Sequence, residues 1–385
     1  MQIYVDNAAT TFPKPNSVYN EMLNYMTTIG GNPGRGASTS SLKGNKVIFQ
    51  CRQALCKLFN YHDTKNVVFT SNITMSLNML IKGSVKPGWH VITSSMDHNS
   101  TLRTLKTLET NGIIQLDIIQ CNELGLIDIE EFKKTIKENT KMVVLSHASN
   151  IIGSIQPLET IGSICKEKDI FFIVDSAQTA GVLNVDFKAL NCSALAFTGH
   201  KSLLGPQGVG GFIIDDSFND VCSPLILGGT GSSSSDILQP EFLPDKFESG
   251  TLNTPGIVGL LSGLKFIESE GISTIKEHEY YLTQRFIEGL LNINSMKVYG
   301  YLSSPNRTST VSVNSSVLDN SLLGYILDSE YNIITRTGLH CAPLAHKTIG
   351  TYPSGTLRFS FGYFNDEKDI DYILKSIDEV VKRSL

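Results

Sequence analysis

Ile170-Phe-Phe-Ile-Val174 is an apolar run with no polar interruption, and no other feature constrains the fold of this chain as strongly. A strand of that kind is buried on both faces, as happens when helices cover a parallel sheet. Short runs of similar character recur at 67–69, 90–92, 113–119, 142–145 and 194–197. Segments with helical spacing lie between them, at 74–82, 100–110, 129–137 and 158–168. Strand and helix in alternation predict an α/β unit around a parallel sheet. Ahead of it, a helix over 16–29 with Asn16 or Ser17 as N-cap is broken by Gly30-Gly-Asn-Pro-Gly-Arg-Gly36. A longer helix then runs to about Asn60, with Val47, Cys51, Leu55 and Leu58 at helical spacing.

A chain of 385 residues suits two domains better than one. The stretch 222–255 has little periodicity and contains Gly228-Gly-Thr-Gly-Ser-Ser-Ser-Ser-Asp236. Long irregular stretches of this kind are functional or disordered. Beyond Pro255, helices over 256–270, 274–291, 321–329 and 367–382 mix with strands at 309–313, 333–336 and 357–361. This predicts a smaller α+β domain. The expected division is a large domain over 16–255 and a small one made of 1–15 and 256–385.

The formal net charge is −5, without a block of basic residues, which argues against nucleic acid or an anionic membrane surface as the main partner. The absence of an apolar run long enough for a bilayer, and of a signal-like start, predicts a cytoplasmic protein. Seven cysteines are scattered with no Cys-x-x-Cys, so neither a disulfide framework nor a metal site is expected. Most should be small buried hydrophobes.

In a sheet of this type ligands bind beyond the carboxyl ends of the strands. Several chemical groups collect there. Lys201 lies in Phe197-Thr-Gly-His-Lys-Ser-Leu-Leu-Gly-Pro-Gln-Gly-Val-Gly-Gly211, where five glycines keep the backbone thin around it. Desolvation at such a place lowers an amine's proton affinity and frees its lone pair for carbonyl chemistry. Phe69-Thr-Ser-Asn-Ile-Thr74 brings hydroxyls and N–H groups to a helix start, an anion site. Asp97 and His98, Asn150, Asp175 and Gln178, and Thr198 and His200 follow other strands. Each has a plainer reading: a lysine in a surface turn, a capping threonine or aspartate, a surface histidine. Co-location favours the chemical one. An anion cradle, an imidazole, a carboxylate and a lysine at one sheet edge fit pyridoxal 5′-phosphate. Its aldehyde needs a lysine for a Schiff base, its ring nitrogen a carboxylate, its phosphate N–H and hydroxyl donors, and its ring face a flat partner. Two unit charges ~4 Å apart at an effective dielectric of ~20 attract by about 4 kcal/mol before desolvation.

Asp6-Asn-Ala-Ala-Thr-Thr11, Asp175-Ser-Ala-Gln178, Thr198-Gly-His-Lys201 and Phe247-Glu-Ser-Gly-Thr251 resemble the class V aminotransferase-fold enzymes. Thr335-Arg-Thr-Gly-Leu-His-Cys-Ala-Pro343 and Leu357-Arg-Phe-Ser360 narrow the resemblance to the cysteine desulfurases, closest in pattern to the second group of these and to selenocysteine lyases. It implies an α/β, fold type I pyridoxal-phosphate-dependent transferase. The large domain would hold a mostly parallel, seven-stranded-type sheet, and a smaller α+β domain would follow. It implies that Lys201 bonds the cofactor, Asp175 pairs with the ring nitrogen, Gln178 bonds the ring hydroxyl and His98 stacks on the ring. Thr74, Thr198, His200 and the backbone at Ile73 would hold the phosphate. Thr251 would reach the phosphate of a neighbouring subunit, hence a homodimer. Asn150 and Arg358 would fix the substrate carboxylate, a role that suits the planar fork of arginine.

Within the resemblance Cys341 is the sulfur acceptor, leaving L-cysteine as L-alanine. An ordinary thiol is mostly protonated at pH 7, so the site has to activate it or use the substrate's own proton, and His340 and His346 stand near it in sequence. The plainer reading is one more buried cysteine. The compact stretch between Arg336 and Arg358 resembles desulfurases whose cysteine sits on a short ordered segment. Onward transfer would then need a docked sulfur-acceptor protein or a small thiol. One departure concerns substrate: Gly34-Arg-Gly-Ala-Ser-Thr39 places Ser38 where histidine is common. That keeps L-selenocysteine, and other carbon–sulfur lyase or epimerase chemistry, open. A weakly catalytic binding partner in sulfur trafficking is the alternative from another class.

Overall fold

The computed structural model describes residues 2–34, 38–232 and 235–384. Its centre is a seven-stranded sheet in the order Val67–Thr70, Gly210–Ile214, Ala194–Thr198, Phe171–Asp175, Thr140–Ser146, Trp89–Ser94, Ile114–Ile119. Gly210–Ile214 runs antiparallel to both its neighbours and every other pairing is parallel. The unbroken apolar runs follow from burial on both faces. Val143, Leu145, Phe172 and Val174 enter one core, with Cys51 and Leu55 of helix Thr39–Leu58. Met142, Val144 and Ile173 enter the other, with Leu77, Leu80 and Leu105 from helices Ile73–Ser84 and Asn99–Thr110.

The antiparallel strand has no counterpart among the apolar runs of the sequence. It begins with two glycines because nothing larger fits. A Cβ on Gly211 would lie 2.3 Å from the Val68 carbonyl oxygen and 2.5 Å from the Phe197 ring. That close approach lets the sheet continue beyond the Lys201 turn.

A second sheet is wholly antiparallel, in the order Arg336–Gly338, Thr356–Ser360, Thr310–Ser315, Met296–Tyr299. Helices Ile272–Leu291, Asn320–Tyr331 and Glu367–Arg383 accompany it, around a core containing Leu282, Phe286, Leu323, Phe359 and Ile373. The expected strand over 333–336 is two. Ile333–Ile334 pairs in parallel with Ile3–Tyr4, while Arg336–Gly338 joins the larger sheet. The N-terminal segment is thereby tied to the C-terminal one. Helix Thr254–Glu270, expected with the small domain, instead places Ile257, Leu260 and Leu264 in the core under the seven-stranded sheet. We propose a division that follows these cores, with residues 1–15 belonging to the smaller body.

Local corrections are modest. Pro15 stands at the N-cap position of the first helix and Asn16 is its first residue. That helix ends in a π turn, Tyr25–Ile29, closed by Gly30 at φ 55°. The described part of 222–253 contains no helix or strand. No helix among the described residues is long and apolar enough to cross a membrane.

Candidate active site

Asp175 ends its strand, and Lys201 follows the end of its neighbour Ala194–Thr198. Both side chains are desolvated. Burial lowers Lys201 to about 8, against the opposing pull of Asp175. Burial raises Asp175 to about 6, although its Oδ1 accepts the Ala177 N–H at 2.9 Å.

His98 stands at the N-cap of Asn99–Thr110, where its Nδ1 accepts the Ser100 N–H at 3.1 Å. Accepting at Nδ1 leaves the proton of the neutral ring on Nε2. Burial, then the charge of Lys201, lowers this imidazole to about 4. Asn72, not Thr74, caps helix Ile73–Ser84 by accepting from Met75 N–H. The Ile73 and Thr74 N–H groups have no bond among the described residues. Thr198 Oγ1 and His200 Nδ1 are buried without hydrogen-bond partners among the described residues. Gln178 Nε2 donates to Ala8 O at 3.1 Å. The His200 carbonyl accepts from Thr11 N–H, Thr10 Oγ1 and Lys14 Nζ, so the N-terminal motif grips the turn that carries Lys201.

Cys341 is exposed and the other six cysteines are buried. His340 and Cys341 both adopt left-handed backbone, at φ 44° and 60°. Side chains rarely occupy that region, and such strain concentrates at functional sites. The Cys341 carbonyl accepts the Asn99 N–H at 2.8 Å, which fastens the segment beside His98. Helix Pro343–Thr348 follows at once, an element too short to show a period in the sequence. His340 and His346 do not hydrogen-bond the thiol. Their rings are buried, 5.6 Å apart, and engage Thr356 and Thr351. Burial first, then the charge of Arg358, holds His340 down at about 2; burial lowers His346 to about 4. Both therefore support the backbone as neutral rings.

Asn150 Nδ2 donates to His340 O at 2.8 Å, and Arg358 Nη1 donates to Asn150 O at 2.9 Å. Arg358 Nη2 pairs with Asp6 at 2.5 Å. Arg336 lies opposite Arg358 in the strand register and has no ion-pair partner among the described residues. Its charge lowers the proton affinity of both His98 and Lys201. Neither Arg336 nor the Asp6 contact is among the expected site groups, although both residues stand inside motifs singled out from the sequence. Thr251 is exposed and makes no side-chain hydrogen bond among the described residues; it lines a cavity with Ser71 and Met75. Ser38 caps helix Thr39–Leu58 by accepting from Ser41 N–H at 3.2 Å. The preceding 35–37 lie outside the described residues, as do 233–234 of the serine run.

Residues 3–373 match the aminotransferase class-V family. Over 99% of its length the chain is 32% identical to a probable cysteine desulfurase of Pyrococcus abyssi, covering 94% of that protein. It is 31% identical to cysteine desulfurase IscS of Clostridium botulinum, over 99% of this chain and 95% of that one. Among solved structures, the apo cysteine desulfurase of Thermococcus onnurineus NA1 superposes with a TM-score of 0.93 at 32% identity. The match covers 99% of this chain and 95% of that one. A structure titled NifS-like protein gives a TM-score of 0.87 at 28% identity, with both chains fully covered.

Proposed function

The chain belongs to the aminotransferase class-V family, and from that premise we infer that it is a cysteine desulfurase, taking sulfur from L-cysteine and leaving L-alanine. The observation that carries the reading is the place of Cys341. A sulfur acceptor has to be reachable and has to stand at the cofactor edge. Cys341 is the exposed cysteine of seven, and its carbonyl is held by Asn99 beside His98.

The site fits pyridoxal 5′-phosphate. The partnerless Thr198 Oγ1, His200 Nδ1 and Ile73 and Thr74 N–H groups form a phosphate cradle. Asp175 offers a buried carboxylate to a ring nitrogen, Gln178 an amide to a ring hydroxyl, and His98 a flat neutral ring. When bound, the cofactor supplies an aldehyde for an amino group and an electron sink for the pair released at the substrate's Cα. Lys201 would hold that aldehyde, and the lowered proton affinity of its amine would suit it to carry a Cα proton near neutral pH. Arg358 and Asn150 orient the substrate carboxylate. The Cys341 thiolate bonds the substrate sulfur as the carbon–sulfur bond breaks. The persulfide stays on Cys341, and the three-carbon fragment leaves as alanine after protonation.

The experiment is L-cysteine turnover by the holoenzyme, with alanine and protein-bound persulfide measured together. Cys341→Ala should keep the cofactor and lose both persulfide and turnover. Sulfide release at the native rate by that variant would remove Cys341 as acceptor. Because Ser38 is occupied in capping a helix, no imidazole comes from that position, and L-selenocysteine belongs in the same assay. A Cys341→Ala variant active on it alone would favour a selenocysteine lyase.

Anchored at both flanks, Cys341 reaches only a short distance, so sulfur passes to a docked acceptor protein or a small thiol. We place the reaction in the cytoplasm, where unpaired cysteines persist. The working unit is a homodimer in which Thr251 serves the neighbouring phosphate site.

A further inference from the structure

Arg358 is buried, its side chain 2% exposed, and two of its nitrogens are already engaged. Nη1 donates to Asn150 O, Nη2 pairs with Asp6 Oδ1, and the Nε–H has no partner among the described residues. The backbone holds Asp6 at that place. Ser360 N–H donates to Val5 O, Asn7 N–H donates to Ser360 O, and the Asp6 carbonyl accepts the Ala9 N–H at 3.0 Å. The Asp6 carboxylate is therefore a fixed neighbour of Arg358. Arg336, the other guanidinium of this pocket, has no carboxylate among the described residues. Two cations and one anion thus face the point where a substrate carboxylate arrives.

A carboxylate that binds Arg358 shares its charge with Asp6 and is repelled by Asp6. At short range in a partly desolvated pocket that repulsion is appreciable. Substrate and product carry the same carboxylate, so full-strength capture would slow release of alanine as much as it aids cysteine binding. We infer that Asp6 is a positioning residue that acts through Arg358: it orients the guanidinium and sets a deliberately moderate affinity for the amino-acid carboxylate. This rests on the reading of Arg358 as the carboxylate site.

The test is the equilibrium dissociation constant of L-alanine for the holoenzyme, by calorimetry, in the native protein, Asp6→Asn and Arg358→Ala. Ethylamine, which keeps an amine and lacks the carboxylate, is titrated alongside. Asp6→Asn keeps an oxygen for Nη2 and removes the charge. It should bind L-alanine about tenfold more tightly, lower KM for L-cysteine without raising kcat, and leave ethylamine binding unchanged. Equal or weaker L-alanine binding by Asp6→Asn overturns the proposal, as does an equal change for ethylamine. Unchanged L-alanine binding by Arg358→Ala instead overturns the carboxylate role of Arg358, a separate variant and a separate result. If Asp6→Asn does not fold, Asp6→Ser is titrated in the same way. Failure of both to fold assigns Asp6 to stability and overturns the inference.

Discussion

At the scale of single residues, burial divides groups of the same type into different roles. Desolvation pushes the thiols of Cys56 and Cys121 up to about 11 and those of Cys165 and Cys222 to about 12, whereas Cys341 faces solvent. Alkylation under native conditions should therefore label Cys341 alone, and all seven cysteines after denaturation; peptide mass mapping checks it. Lys201 shows the complementary effect. Its amine is lowered to about 8, so the uncharged fraction reaches one half there and levels off at higher pH. An ordinary lysine would keep gaining to above about pH 10. The rate at which the apo chain incorporates pyridoxal 5′-phosphate, trapped with borohydride on Lys201, should be half-maximal near pH 8 and flatten above it. Lys201→Ala should trap none. These two residues were legible in the sequence because each lies in a local motif with its chemistry inside it. The Asp6–Arg358 pair, separated by 352 positions, was not legible. A salt bridge between distant segments leaves no local pattern; only the strand register that brings Ser360 beside the N-terminus makes it.

At the scale of elements, the large sheet was readable where a largely apolar run marks the strand, since a strand with one wet face would alternate apolar and polar residues. Met296–Tyr299, with its lysine and outward-facing positions, lacked that signal, and so did the glycine-led Gly210–Ile214. Hydrogen-bond accounting at an element boundary adds a prediction. Glu279, on helix Ile272–Leu291, is buried with no cationic partner among the described residues. Ser309 Oγ lies 2.9 Å from its carboxyl and 2.7 Å from Phe361 O. One hydroxyl hydrogen cannot satisfy two acceptors, so Ser309 donates to the carbonyl and accepts from a protonated Glu279. Burial accordingly raises Glu279 to about 8. A carboxyl raised in the folded state gives stability that is complete below its unfolded value and is lost as pH climbs through the folded one. The window is pH 4.5 to about 8. Glu279→Gln keeps a donor for Ser309 and removes the ionisation. It should match the native protein near pH 4.5 and exceed it by on the order of 3 kcal/mol at about pH 7. Urea midpoints across that range decide it; a gap that does not widen with pH would mean Glu279 is ionised in the fold.

At the scale of the molecule, length and pattern gave the expectation of two domains, and the homodimer followed only from the family resemblance at Thr251, because only a fold reveals which apolar residues remain uncovered. Leu227, Ile237, Leu238 and Phe242 all lie exposed on the irregular stretch before helix Thr254–Glu270, Ile237 completely so. That stretch passes beside Gly34, whose carbonyl lies 3.1 Å from where a Gly231 Cβ would stand. Exposed Leu23 and Met26 belong to the helix that Gly30 closes. Exposed apolar side chains gathered on one stretch are what a second copy of the chain would cover if the proposed homodimer forms there, and Thr251 lies at the end of the same stretch. Sedimentation should give twice the chain mass, and Leu238→Asp should shift the protein toward monomer while weakening its hold on the cofactor. Sharing of sites makes a sharper demand. Let one chain carry Lys201→Ala and the other Thr251→Ala, and let the two be mixed and allowed to exchange. If Thr251 acts across the interface, the mixed dimer has one site with both defects and one site with none. The mixture should then recover native-affinity cofactor binding on the Thr251→Ala chain, up to half of the mixed dimer's sites. If Thr251 serves its own chain, each site keeps one defect and mixing recovers nothing.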